Sequence, residues 1–189
     1  MGMPQAVHRW TRDEVLALPE DGKRHELIDG ELLVSPSPTW PHQWAVGALY
    51  RRLQPYLEQQ GIGWCMFSPA DLDLKSGQLS QPDVFVIAPR TDGTRPRGWD
   101  ECGIPILVAE VLSPATARYD RITKRLRYQR SGVSEYWIVD MDARVIERWT
   151  PVDTRPEVLD ERITWHPSGA TEALVIELGA YFKEACGED

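Results

Sequence analysis

Two short apolar segments that each contain one carboxylate constrain this chain more than any other feature. They are residues 81–87 and 106–112, in which apolar and β-branched side chains surround Asp83 and Glu110. Apolar runs of this length predict strands that are buried on both faces. Burying an ionised carboxylate is costly unless it has a partner or a metal ion. We therefore expect the two acids to face one another across adjacent strands and to form a site.

A divalent cation is one partner that would stabilise such a pair. Mg²⁺, or Mn²⁺ in its place, prefers oxygen ligands and keeps several of its waters. An ion of this kind polarises a phosphoryl oxygen and lowers the pKa of a bound water, and phosphodiester hydrolysis needs both effects. A nearby lysine could stabilise the developing charge. Lys124 is the candidate, because it lies on the predicted helix that follows Glu110.

Length and hydrophobicity predict one domain and no membrane association. The 189 residues suit a single hydrophobic core. We expect the core of that domain in about residues 11–150 and C-terminal strands with a short helix in residues 151–189. No stretch approaches the roughly 18 apolar residues of a membrane span. The three cysteines lack the spacing of a disulfide framework or a zinc site. A cytoplasmic protein is expected.

The net charge of −8 argues mildly against a protein that coats nucleic acid. The charge is unevenly distributed, since residues 117–131 contain six basic side chains against Asp120 alone. One helix could therefore be the electrostatic face of an otherwise acidic molecule. From charge alone, a solvated helix surface is the better interpretation.

Strand and helix patterns alternate along the chain and predict an α/β protein with a central mixed β-sheet flanked by α-helices. The pair Asp29-Gly30 predicts a tight hairpin between residues 24–28 and 31–34. Helices are expected from Thr11 to Pro19, over residues 42–60 with an interruption at Pro55, over 118–130 with Thr116 or Ser113 as the cap, and around Tyr181. Further strands are expected at 64–67, 71–74, 134–139, 144–150, 162–165 and 173–178, with a turn at Ser76-Gly77.

The predicted basic helix has two stripes on nearly opposite faces. One consists of Asp120, Lys124 and Tyr128, and the other of Tyr119, Ile122 and Leu126. The simplest interpretation places the apolar stripe in the core and leaves Asp120 and Lys124 as an exposed ion pair worth roughly 0.2–0.5 kcal/mol. Glu110 resists a similar explanation, because four apolar residues precede it and two follow.

A series of motifs appears in a familiar order between about Thr11 and Trp149. They are His25-Glu-Leu-Ile-Asp-Gly-Glu31, His42, Pro82-Asp-Val84, Glu110-Val-Leu-Ser-Pro114 with Thr116, the stripe Asp120, Lys124 and Tyr128, Gly132-Val133, and Glu135-Tyr-Trp-Ile-Val-Asp140. In this order the chain resembles the Uma-two family of restriction endonucleases, a branch of the PD-(D/E)XK nuclease superfamily.

The resemblance implies a restriction-endonuclease-like fold, a Mg²⁺- or Mn²⁺-dependent endonuclease activity and DNA as the partner. It implies that Asp83 and Glu110 are catalytic metal ligands and that Lys124 and Glu26 are catalytic, with Glu31 as a rival to Glu26. Four further residues are accessory candidates that could contact the site or substrate, cap a helix or pack: Asp120, Tyr128, Ser113 and His42. A homodimer is expected, because cutting both strands of a duplex is commonly shared between two copies of one site.

One position departs from the superfamily pattern, which has a lysine two residues after the second acid. That position is Leu112 here. Lys124 is then the candidate replacement. The departure motivates a second hypothesis, a catalytically inactive nuclease-like module that binds nucleic acid or a protein. A third is hydrolysis of another phosphate ester, since the metal chemistry does not depend on what is attached to the phosphate.

Overall fold

The structure is a computed structural model that describes residues 8–74 and 78–188. Its strands are β1 Arg24–Ile28, β2 Glu31–Ser35, β3 Trp64–Phe67, β4 Val84–Ile87, β5 Leu107–Val111, β6 Glu135–Asp140, β7 Val145–Trp149, β8 Glu157–Leu159, β9 Arg162–Trp165 and β10 Leu174–Glu177. Its α-helices are α1 Arg12–Leu16, α2 Trp40–Gln60, α3 Ala117–Tyr119, α4 Arg125–Ser131 and α5 Leu178–Ala185. A 3₁₀ turn covers Trp99–Glu101, and a π-helical segment covers Asp120–Lys124.

A six-stranded mixed sheet in the order β3-β4-β5-β6-β7-β8 forms the centre of the fold. Strands β5 and β6 are parallel, and the other neighbours are antiparallel. A parallel pair needs a crossover connection, and the chain supplies it with α3, the π-helical segment and α4. The crossover therefore begins beside the end of β5, where Glu110 lies. The predicted α/β class and mixed sheet are confirmed.

The sheet buries side chains on both faces, which explains its nearly continuous apolar strands. On one face, Val84 and Ala109 belong to the cluster that includes α2, α5 and the β9–β10 hairpin. On the other face, Phe85 and Val108 pack with α4. Because side chains alternate along a strand, Glu110 shares the α4 face with Val108.

The hairpin of β1 and β2 forms a separate two-stranded sheet. Asp29 and Gly30 both have positive φ, 52° and 82°, which is the conformation of a two-residue type I′ turn. The hairpin predicted from Asp29-Gly30 is therefore present, and in its register Glu26 pairs with Leu33. Strand β1 also bonds to Leu79 through Leu27, and this contact brings Glu26 towards the segment that precedes β4.

Several predicted elements have different limits in the structure. Helix α1 has the predicted Thr11 capping box but ends at Leu16. Helix α2 continues through Pro55, because the buried leucines on its inner face outweigh the local cost of proline. The segment predicted as a strand at 71–74 contributes only one bridge, between Leu72 and Ser80. The turn predicted at Ser76-Gly77 lies outside the described residues.

The helix predicted over 118–130 is present as one uninterrupted helical run, but its middle turn, Asp120–Lys124, is π-helical and lies between α3 and α4. Thr116 holds the N-cap position of α3, but its side chain makes no capping hydrogen bond to the described residues. Its hydroxyl instead lies 2.9 Å from the Ser113 hydroxyl. In the described ranges, no helix is long and apolar enough to cross a membrane.

Candidate active site

A cleft of about 340 Å³ lies beside the end of β5. It gathers most of the residues that the sequence predicted for the site. Those that line it are His42, Asp83, Glu110, Ser113, Asp120 and Lys124. The other two, Glu26 and Tyr128, are buried and contact residues that line the cleft.

Asp83 lies one residue before β4 and is held by three groups. Its Oδ1 accepts a hydrogen bond from Arg24 Nη1 at 2.6 Å, and its Oδ2 lies 3.1 Å from His42 Nε2. The backbone N–H of Val111 also donates to Oδ2, at 2.9 Å. Extending the Val84–Ala109 register by one residue sets Asp83 opposite Glu110. The side chain of Asp83 is therefore fixed across the end of the two strands.

The partners of Asp83 favour its ionised form. Burial alone would raise the pKa of this carboxyl, but the His42 hydrogen bond and the charges of His42 and Arg24 outweigh burial and hold the pKa below its ordinary value. Burial would lower the pKa of Arg24, and the nearby carboxylates raise it instead. Asp83 and Arg24 consequently form a charged pair in which the carboxylate is buried and the guanidinium is half-buried.

Lys124 stands at the centre of a second cluster, in which three carboxylates surround one ammonium. Its Nζ lies 2.9 Å from Glu26 Oε2, 3.0 Å from Glu110 Oε1 and 3.5 Å from Asp120 Oδ1. The Tyr128 hydroxyl donates to the same Glu110 oxygen at 3.0 Å. All five side chains are buried.

One ammonium cannot balance three buried carboxylates. Burial raises the pKa of Glu110 well above its ordinary value, against the opposing charge of Lys124. The pKa of Asp120 is raised for the same reason. Burial would lower the pKa of Lys124, but the carboxylates raise it well above its usual range. Lys124 therefore stays charged, while Glu110 and Asp120 bind protons more tightly than exposed acids do.

The burial of Asp120 and Lys124 corrects the prediction of an exposed ion pair. Lys124 is 3% exposed, whereas Ile122 and Leu126 of the apolar stripe are 47% and 36% exposed. The π-helical segment spans the turn from Asp120 to Lys124, and such segments are frequent at functional sites. The charged stripe faces inward because Glu26 of the hairpin and Glu110 of the central sheet supply partners there, whereas Ile122 and Leu126 of the apolar stripe face outward.

Glu26 and Glu31 are the two glutamates of the first hairpin, and they lie in different environments. Glu26 is buried, and its Oε1 accepts the backbone N–H of Gln81 at 2.9 Å. Glu31 is exposed on β2. The structure therefore brings Glu26 to the Lys124 cluster and leaves Glu31 outside it.

Leu112, at the position of the superfamily lysine, is half-buried and packs with the apolar cluster on the α4 face. The ammonium that reaches Glu110 comes instead from the crossover between β5 and β6, through Lys124. A cation therefore lies beside the second acid although the strand itself supplies none.

Arg24 is a site residue that the sequence reasoning missed. Its guanidinium contacts Asp83 and also lies 3.4 Å from the carbonyl oxygen of Gln81. A signal was present, because Arg24 and Glu26 are two residues apart on one strand and so point to the same face of the hairpin. The resemblance drew attention to His42, which the structure places beside Asp83.

Several buried polar atoms of the cleft residues have no hydrogen-bond partner among the described residues. They are Asp120 Oδ1, Arg24 Nε and His42 Nδ1. Buried polar groups are normally satisfied by protein, water or a ligand. Among these atoms, the Arg24 Nε–H group is a donor suited to an anion.

The donor set suits a hard divalent cation. Within the described residues, no three acidic, histidine or cysteine side chains form a ready-made metal cluster. Magnesium, however, is usually bound through one or two carboxylates and retained waters. Asp83 and Glu110 supply that number from one cleft, and Asp120, whose Oδ1 lies 3.5 Å from Lys124 Nζ and accepts no hydrogen bond from the described residues, adds a third carboxylate to its lining. The residues present fit such an ion.

Comparisons with known proteins identify a family and a fold. The family model described as "Uma2: Putative restriction endonuclease" matches residues 12–179. A crystal structure from Anabaena variabilis, described as a putative nuclease belonging to DUF820, aligns with a TM-score of 0.76 and 22% identity over 93% of this chain and 99% of that chain. No curated protein matches the chain. The predicted family and restriction-endonuclease-like fold are confirmed.

Proposed function

This chain belongs to the Uma2 family, and on that premise we propose that it is a metal-dependent endonuclease that hydrolyses DNA phosphodiester bonds. The observation that supports the proposal most is the meeting of Asp83 and Glu110 at one cleft, with Lys124 3.0 Å from Glu110. The fold alone would not support an activity, since one fold serves many functions.

Asp83 and Glu110 would hold one divalent ion, Mg²⁺ or Mn²⁺. When bound, such an ion supplies a Lewis acid for the phosphoryl oxygen and lowers the pKa of a bound water. Asp83 is prepared for this role, because Arg24 and His42 keep it ionised. Glu110 accepts hydrogen bonds from Lys124 and Tyr128. A divalent ion bound beside it would favour its ionised form.

Lys124 is proposed as the electrostatic catalyst. Its ammonium is buried and stays charged, so it can stabilise negative charge that develops beside Glu110 without reorganising solvent. Glu26 and Asp120 hold the ammonium in place. Glu26 is therefore an accessory residue that positions Lys124, and Asp120 shares that role.

Arg24 and His42 are proposed to orient the phosphate group. Both line the cleft and contact Asp83, and each has one buried nitrogen that no described residue satisfies. The free N–H of Arg24 Nε is a donor suited to a phosphate oxygen. The same chemistry would serve other phosphate esters, because it does not depend on what is attached to the phosphate. The substrate panel should therefore include nucleotides and simple phosphodiesters besides DNA.

Cleavage of supercoiled plasmid and of single-stranded DNA in Mg²⁺ or Mn²⁺ tests the proposal. Wild type should convert the plasmid to nicked and linear forms, and Glu110→Gln should lower the rate by about a hundredfold or more. Glu31→Gln is the matched control, since it removes an exposed carboxylate of the first hairpin and should leave cleavage unchanged. Equal cleavage by wild type and Glu110→Gln, or none with any metal, would contradict the proposal.

The second candidate is a nuclease-like module that binds nucleic acid or a protein without cutting. One observation favours it: the protein's own cations, Arg24 and Lys124, already neutralise Asp83 and Glu110. A Mn²⁺ titration separates the two candidates, because the module should bind its partner yet show no affinity for manganese that depends on these carboxylates. The expected homodimer stays a prediction that sedimentation velocity can test.

A further inference from the structure

A pair of exposed tryptophans lies where α2 begins, next to the cleft. Trp40 is the first residue of α2 and is 79% exposed, and Trp44 is 42% exposed. Their rings are stacked, with centroids 6.0 Å apart and an interplanar angle of 16°. Two stacked exposed rings form a contiguous apolar patch, the kind of surface that marks interaction sites.

The inner ring of the pair is held in a fixed orientation. The Trp44 indole N–H donates to the carbonyl oxygen of Glu184 on α5 at 2.8 Å. The Arg51 guanidinium lies over the same ring, 5.4 Å from its centroid. Trp40 thus stacks on a ring that cannot easily rotate, and its own high exposure leaves surface open for another planar group.

The position of the pair links it to the site. Thr39 and Pro41, which flank Trp40 in the chain, line the cleft, and so does His42. His42 in turn contacts Asp83. A strand whose phosphate lies in the cleft would therefore pass close to the exposed rings with its neighbouring bases.

The charge around the rings is suited to a polyanion. Arg51 and Arg52 both contact the single carboxylate of Glu184, at 2.5 Å and 2.7 Å. Two guanidinium groups against one carboxylate leave a local excess of positive charge on a chain whose net charge is −8. Nucleic-acid single strands are typically bound by this combination of aromatic rings and arginines, because each base presents a stacking face and each phosphate a negative charge.

We propose that Trp40, supported by Trp44 and Arg51, is a stacking surface for unpaired nucleotides of a single-stranded nucleic acid that enters the cleft. The proposal deepens the proposed function, because it rests on a phosphodiester substrate and assigns the preference for unpaired bases to this surface. Stacking needs an accessible base face, and a duplex hides its base faces inside the stack. The surface should therefore distinguish single strands from duplexes of the same sequence.

Fluorescence anisotropy of a labelled oligodeoxythymidine in EDTA tests the proposal without metal or cleavage. Trp40→Ala should weaken binding by about 5- to 150-fold, which corresponds to the loss of one base stack. Trp40→Phe should restore most of the affinity, because it keeps an aromatic face. Trp99→Ala is the matched control: this partly exposed tryptophan lies in the loop between β4 and β5, outside the cleft lining, and its loss should leave binding unchanged.

Unchanged binding by Trp40→Ala would overturn the proposal, and so would an equal loss for a matched duplex. A further contrary result is that Trp40→Ala dissolves a dimer in sedimentation velocity while binding stays the same, since the rings would then contact a second copy. Circular dichroism confirms that each variant is folded. The outcome is independent of the proposed function, because loss of binding in Trp40→Ala supports the stacking surface even if the chain cuts no substrate.

Discussion

The two carboxylates that face one another across β4 and β5 occupy opposite environments. Asp83 is ionised, held by Arg24, His42 and a backbone N–H, and its pKa is lowered. Glu110 shares one ammonium with two other acids, and its pKa is raised. Neighbouring acids whose environments separate their pKa values are typical of sites with divided roles. Asp83 is therefore ready to bind a cation, whereas Glu110 needs a bound cation to become fully ionised.

The largest loss of stability should come from removing Lys124, the ammonium beside Glu110. Lys124→Met leaves three buried carboxylates without their shared ammonium, and the free energy of unfolding should fall by about 3–5 kcal/mol. Urea denaturation followed by circular dichroism measures the change. Arg118→Met is the control, because Arg118 is exposed on the adjacent turn and should change stability little. Similar small losses in both variants would show that the buried cluster is not formed.

The contribution of Asp83 to the free energy of unfolding should be lost in acid. Asp83→Asn should cost about 2–3 kcal/mol at neutral pH, because hydrogen bonds to a charged group are lost. A folded pKa below the unfolded value of about 4 means that the stabilisation is complete above pH 4 and is lost as the pH falls through the folded pKa. The difference between wild type and variant should therefore shrink in acid. A difference that stays constant with pH would assign the cost to packing instead.

For Glu110→Gln, the stability relative to wild type should change with pH in a way that reflects a raised rather than a lowered pKa. Because the folded pKa of Glu110 is raised, its ionisation costs stability as the pH rises from about 4 towards that pKa. The glutamine variant cannot ionise, so its stability relative to wild type should increase over this range. At neutral pH the change should be about 1 kcal/mol or less. Urea denaturation at a series of pH values checks the trend, and a decrease with rising pH would contradict the raised pKa.

The smallest change in stability should come from a substitution on the exposed face of the crossover between β5 and β6. Ile122→Ser should change the free energy of unfolding by no more than about 0.5 kcal/mol, as expected for a surface substitution. The same urea denaturation, compared with Tyr128→Phe on the buried face, measures it. A loss of several kcal/mol from Ile122→Ser would restore the original prediction that the apolar stripe forms the core.

The sequence predicted the parts of this arrangement that depend on local pattern. The apolar runs around Asp83 and Glu110 predicted adjacent strands, and Asp29-Gly30 predicted the hairpin that carries Glu26. The orientation of the crossover could not be predicted in the same way, because the helical-stripe argument assumes 3.6 residues per turn and the π-helical segment departs from that spacing. Long-range partners decide which face is buried there.

The partners of Asp83 could not be predicted from the local sequence pattern either. Arg24 lies 59 residues away in the sequence, and its contact depends on how the first hairpin packs against the segment before β4. His42 was noticed only through the family resemblance. Ion pairs between distant residues require the tertiary structure, whereas the acids themselves stand out because each interrupts an apolar run.

A manganese titration followed by electron paramagnetic resonance tests the central claim most directly, namely that Asp83 and Glu110 hold one divalent ion between them. Wild type should bind Mn²⁺, and Asp83→Asn and Glu110→Gln should each weaken the affinity by at least about tenfold. Glu31→Gln should bind like wild type, because Glu31 is exposed outside the cluster. Equal manganese affinity in all four proteins would contradict the account.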